Sequence, residues 1–230
     1  MTDADAVWNT GATNMQDPHC LKCEYAPAAY NIVNRFVANF EYDVPFAHWQ
    51  ALSSLPKRLT DGWQTLGIFQ AQTGFPFTVG TSLGTVQYGI GASNRPFYLQ
   101  KATLNPTERT STQFFSSDVI GSNDGVGTGY FAIPTVISPV AGVGGVMPGP
   151  GTLGRDTFTG PGWYNLDFSV IKDTHITETK MVQFRAEFFN IFNTATFGAP
   201  VSTVGNPGFG TTGYTATAER EIQLGLRFVF

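Results

Sequence analysis

Five stretches of the chain alternate apolar and polar residues with a period of two. The cleanest is 221–230, where Ile222, Leu224, Leu226, Phe228 and Phe230 occupy every even position and the odd positions are Glu, Gln, Gly, Arg and Val. In 163–170, Tyr164, Leu166, Phe168 and Val170 share one side against Asn165, Asp167 and Ser169. In 181–188, Val182, Phe184, Ala186 and Phe188 oppose Gln183, Arg185 and Glu187. In 35–44, Phe36, Ala38, Phe40, Tyr42 and Val44 oppose Arg35, Asn39, Glu41 and Asp43. The stretch 63–73 is the least regular, because Leu66 and Ile68 fall among Gln64, Gln70 and Gln72. Side chains alternate across a strand, so each stretch predicts a strand with one oily and one polar face.

Full charges in mid-strand and stretches of about ten residues narrow the choice. A β-sandwich with a solvated outer face uses shorter strands of about 5–6 residues and turns every 8–12. Strands of about 9–11 residues are what a tilted bilayer crossing requires. Apolar-out, polar-in alternation over that length is the pattern of a transmembrane barrel wall. The predicted fold is therefore all-β: an antiparallel barrel segment of about five membrane strands, an open sheet on its own, with long extracellular loops. Arg35, Glu41, Asn165, Asp167, Arg185, Glu187 and Arg227 are expected to face the lumen. Phe40, Leu166, Phe168, Phe184, Phe188, Leu224 and Leu226 are expected to face lipid.

The connections vary in length as such a barrel requires. The third and fourth stretches are joined by 173–178 and the first and second by 45–60, whereas about 74–162 and 189–220 separate the others. Short periplasmic turns alternating with long extracellular loops place the last strand's end in the periplasm and residues 1–30 outside. The division expected is a loop remnant at 1–30, then barrel strands over 31–230 with the long loop at about 74–162. Within that loop, parts such as 76–86 and 130–137 are candidates for a hairpin. Aromatic residues near strand ends, among them Trp163, Tyr164, Phe188, Phe189 and Phe192, suit the membrane–water interfaces.

Composition removes other classes. Charged residues make up 13% of the 230, about half the usual ~25%, and the net charge is -4 with 20 Phe. Disordered chains are poor in aromatics, and nucleic-acid binders cluster Lys and Arg; neither description fits. No apolar run reaches the ~18 residues of a transmembrane helix. Residues 1–6 show neither the basic nor the apolar part of a signal peptide, so none is expected within the chain.

The stretch 151–162, GTLGRDTFTGPG, leads into Trp163-Tyr164-Asn165-Leu166-Asp167-Phe168-Ser169. Gln183-Phe184-Arg185-Ala186-Glu187-Phe188-Phe189-Asn190-Ile191-Phe192-Asn193 follows, and the chain closes on Arg220-Glu221-Ile222-Gln223-Leu224-Gly225-Leu226-Arg227-Phe228. Together with 34–38 and 62–78, these blocks resemble the C-terminal barrel of Oar-like TonB-dependent outer-membrane transporters of the Acidobacteria type. The resemblance covers most of 17–230. It implies a far longer parent protein, with a signal peptide, a carboxypeptidase-regulatory-like domain, a TonB box, a plug and a barrel of about 22 strands. On that reading the chain is the barrel's tail, a fragment located in the cell outer membrane as part of the whole. Its role is in uptake or export of a large substrate. Its partners are outer-membrane lipid and the barrel-assembly machinery, with TonB reached only through a plug not found here. No cofactor and no nucleic acid are expected. Phe228 and Phe230 resemble the terminal signal read by the assembly machinery.

Candidate chemistry is sparse. His19, His48 and His175 are far apart in sequence, and no nucleophile elbow or phosphate loop is present. Asp167 and Glu187 are a conceivable glycosidase-like pair, set against a charge-balanced wall with Arg185 and Arg227 as partners. The wall is the reading adopted, so no enzyme is expected. Cys20 and Cys23 form a C-x-x-C that suits half a zinc site, a redox motif or a local disulfide. Zinc needs about four ligands and a redox motif a βαβ context. A small disulfide is therefore expected, with free thiols as the alternative. The rival function is a secreted, soluble β-rich binding module of adhesin or lectin type. Such a module must cover Ile222, Leu224, Leu226 and Phe228 with a second layer.

Overall fold

The structure, a computed structural model, describes residues 16, 20–52, 54–81, 95–99, 114, 115, 119, 130–132 and 151–230. Five long strands form one antiparallel sheet: β1 (Arg35–Val44), β2 (Trp63–Gln72), β3 (Trp163–His175), β4 (Met181–Phe189) and β5 (Glu221–Val229). Their order in the sheet is their order in the chain. Among the described residues the sheet is an open meander, with β1 and β5 each keeping one unpaired edge. No helix among the described residues is long and apolar enough to cross a membrane, which says nothing of strands.

All five periodic stretches are strands. β3 runs further than its alternation suggests, because pairing with β4 continues through Lys172, Asp173, Thr174 and His175. The turn that follows is correspondingly tight, with Ile176 N–H donating to Lys180 O at 2.8 Å. The β1–β2 connection coils through short 3-10 turns at Phe46–His48 and Gln50–Leu52 and one helical turn at Lys57–Thr60.

The chain divides into two compact units. One contains the sheet, over Val33–Gln72, Gly162–Thr196 and Ala216–Phe230. The other gathers Met1–Ile32, Thr73–Pro161 and Phe197–Thr215. Among the described residues the buried hydrophobic cluster belongs to this second unit: Val79, Phe114, Phe115, Val119, Phe131, Leu153, Phe158, Val204 and Phe209. Phe115 stacks on Phe209 at 5.1 Å and meets Phe158 edge-on at 5.3 Å. Offset and edge-to-face pairs of this kind add about 0.5–1.5 kcal/mol each beyond burial.

The hairpin expected within 74–162 is not what forms where the residues are described. Pro76–Phe77 pairs with Phe158–Thr159, and Phe131–Ala132 pairs with Phe97–Tyr98. Each partner lies elsewhere in the loop, because the aromatic side chains of four separate stretches converge on one cluster. The rest of 82–90 and 133–137, and the Gly-rich run at 142–150, lie outside the described residues.

An ion pair is buried in the same unit. Arg95 donates from Nη1 to Glu24 Oε2 and from Nη2 to Glu24 Oε1, both at 2.7 Å, and from Nε to Leu153 O at 2.9 Å. The side chains are 3% and 5% exposed. Gln16 closes the network, donating from its backbone N–H to Glu24 Oε1 and from Nε2 to Gly151 O. Cys20 and Cys23, immediately before Glu24, are joined in a disulfide with Cα atoms 5.3 Å apart.

Candidate functional site

Register sorts the sheet into two chemically distinct faces. Residues directly opposite in neighbouring strands point the same way, so each row can be followed across all five. One row reads Phe40, Gly67, Phe168, Phe188, Ile222, and the next on that side Tyr42, Thr65, Val170, Ala186, Leu224. The row between them points the other way: Glu41, Leu66, Ser169, Glu187, Gln223.

By this register Phe40, Leu166, Phe168, Phe184, Phe188, Leu224 and Leu226 share one face. Arg35, Glu41, Asn165, Asp167, Arg185, Glu187 and Arg227 share the other. Among the described strand residues, Lys172 is the one charge on the apolar face, where it stands between Trp63 and Phe184. Nothing among the described residues covers the apolar face of β5. Leu224, Leu226 and Phe228 are 70%, 62% and 63% exposed. Phe230 follows the strand and is almost wholly exposed.

The polar face is a network of hydrogen bonds. Gln64 Nε2 donates to Glu41 Oε1 at 2.7 Å and to Asp43 Oδ1 at 3.1 Å. Gln183 Nε2 donates to Asp173 Oδ1 at 2.9 Å. Arg185 lies 3.6 Å from Glu187 on its own strand. Glu41, Asp43, Asp167, Asp173, Glu187 and Glu221 outnumber Arg35, Arg185 and Arg227, so the face is acidic. Leu66, Ile68 and Ile171 interrupt it, which accounts for the irregular alternation of 63–73. A trough of about 430 Å³ runs between Asn39, Glu41, Ile68, Glu187 and Phe189. A second of about 320 Å³ lies between Trp163, Asn165, Phe189, Glu219 and Glu221.

The two carboxylates weighed as a catalytic pair make separate contacts. Glu187 stands opposite Ser169 and pairs with Arg185. Asp167 Oδ1 accepts from Asn165 Nδ2 at 2.9 Å and from the Asn190 backbone N–H at 3.0 Å. Asn190, which the sequence reading passed over, organises the chain after β4. It adopts a left-handed φ of 48°. Its Nδ2 donates to Thr194 O and Ala218 O, and its Oδ1 accepts from Thr194 N–H at 3.0 Å. Asn tolerates that conformation better than most residues. An Asn closing a periodic stretch, with a second at Asn193 (φ 51°), was the available signal.

Comparison with known proteins agrees with this two-faced sheet. A family model described as an outer membrane beta barrel domain matches residues 1–223. No curated protein and no solved structure matches the chain. The chain belongs to the outer membrane beta barrel domain family and is an outer-membrane protein.

Proposed function

We propose that the sheet is the C-terminal part of the barrel wall of a TonB-dependent transporter of the Oar-like type, taking part in passage of a large substrate across the outer membrane. The observation that carries this is the register, which puts Phe and Leu on one face and the acidic network on the other across five strands. On this reading the apolar face meets lipid and the polar face lines the lumen. A spanning sheet must satisfy its backbone groups and close, so the free edges of β1 and β5 pair with further strands of the parent barrel. The sequence blocks around Trp163, Arg185 and Arg227 supply the Oar-like assignment. Phe228 and Phe230 serve the assembly machinery, and TonB acts on a plug elsewhere in the parent protein. The role is passage, not catalysis: Asp167 and Glu187 hold structure.

An antibody against 181–193, used on outer-membrane fractions, tests this reading. It is expected to detect a polypeptide several times larger than 24.9 kDa. A band near that mass alone would contradict the transporter assignment. The soluble-module reading needs a second layer over β5, and among the described residues Leu224, Leu226 and Phe228 are exposed.

A further inference from the structure

We propose that the end of the sheet at the β1–β2 connection carries a binding site for the phosphate of an anionic phospholipid headgroup. The inference rests on the reading that the apolar face meets lipid. Lys172 is only 9% exposed, although it lies on that face. Its Nζ donates to Asp61 O and to Asp173 O, and stands over the Trp63 ring at 5.7 Å. These partners orient the ammonium, and the carboxylates of Asp61 and Asp173 lie near enough to attract it without forming an ion pair with it. Both carboxylates keep their charge while accepting hydrogen bonds from neutral groups: Asp61 Oδ1 accepts from Thr60 Oγ1 and Asp173 Oδ1 from Gln183 Nε2. Among the described residues no carboxylate is within ion-pair distance of Lys172.

A pocket of about 200 Å³ opens beside it, lined among others by Lys57, Arg58, Asp61, Lys172, Asp173 and His175. Lys57 and Arg58 are exposed on the single helical turn. Three cations against Asp61 and Asp173 leave one positive charge over, which matches the single negative charge of a phosphodiester. A buried cation is costly unless paired, and lysine binds phosphate as a point charge. Trp63 beside the pocket suits the headgroup level, where indole rings concentrate. The acyl chains of the same lipid would then lie along Phe184 and Leu226, which continue the row from Lys172.

The test uses the protein isolated from the outer membrane and returned to vesicles. A fluorophore is placed at Phe184→Cys, the cross-strand neighbour of Lys172. Phosphatidylglycerol and phosphatidylcholine with brominated chains are compared as quenchers. Phosphatidylglycerol should quench preferentially. The preference should fall in Lys57→Gln/Arg58→Gln by about fivefold for each charge removed, and survive Arg220→Gln. Excess inorganic phosphate should leave it unchanged. Equal quenching by both lipids, or the same loss in Arg220→Gln, overturns the site while leaving the lipid-facing reading in place. Loss of the preference to inorganic phosphate assigns the pocket to free phosphate and overturns the lipid assignment. No quenching by either lipid overturns both the site and the reading beneath it.

Discussion

The ring of Phe40 lies over the bare backbone of Gly67, its cross-strand partner, so that a Cβ at position 67 would stand 2.3 Å from the ring atoms. Phe168, on the other side of Gly67, meets the same ring at 6.4 Å. A glycine in mid-strand costs order, and here an aromatic neighbour fills the gap across three strands. Gly67→Val is expected to displace Phe40 and to lower stability by about 1 kcal/mol, measured by urea unfolding of the protein in vesicles. An unchanged midpoint would show that the ring is not held there.

Leu226 and Arg227 are adjacent and point to opposite faces. Leu226→Arg puts a charge on the face read as lipid-exposed and is expected to cost about 2–4 kcal/mol if the position is near the midplane. Arg227→Leu is expected to change stability by much less. Equal costs in the same unfolding assay would remove the distinction between the faces.

The Glu24–Arg95 pair is buried and bidentate. Removing one partner of such a pair leaves an uncompensated buried charge, at a cost of about 3–5 kcal/mol. Arg95→Met should therefore open the loop unit to protease at residues near 95 and 153 while cleavage within β3–β5 stays unchanged. Gly151 lies against the same backbone: a Cβ there would stand 1.9 Å from Arg95 O. Gly151→Ala should loosen the unit in the same way.

Cys20 and Cys23 are bridged across the 3-10 turn Leu21–Glu24. Thiol titration of the denatured, unreduced protein should find no free thiol from this pair. Two free thiols would refute the disulfide.

The sheet was legible because its signal is local. Alternation alone marks the residues of β5, and neighbouring strands pair in chain order, so the faces of Phe184 and Arg185 follow from spacing. The loop unit was not legible. Val79, Phe115, Phe158 and Phe209 occur in short, aperiodic stretches, and only their convergence in space makes them a core. The Glu24–Arg95 pair spans 71 residues of sequence, a distance at which no pattern connects an acid to a base. Lys172 was hidden for a different reason: it occupies an apolar phase of β3, and its significance depends on Trp63 and Asp61 on another part of the chain.

The claim that this sheet is a barrel wall, lipid on one side and lumen on the other, is tested most directly by a cysteine scan of β5. Single cysteines from Glu221 to Val229, in the protein as it sits in the outer membrane, are labelled with a membrane-impermeant maleimide after channel access is opened, and separately with a lipid-soluble fluorophore. The account predicts strict alternation: positions 223, 225 and 227 react from water, and positions 222, 224 and 226 report a hydrocarbon environment. Water reactivity at both 226 and 227, or alternation in the opposite phase, would contradict it.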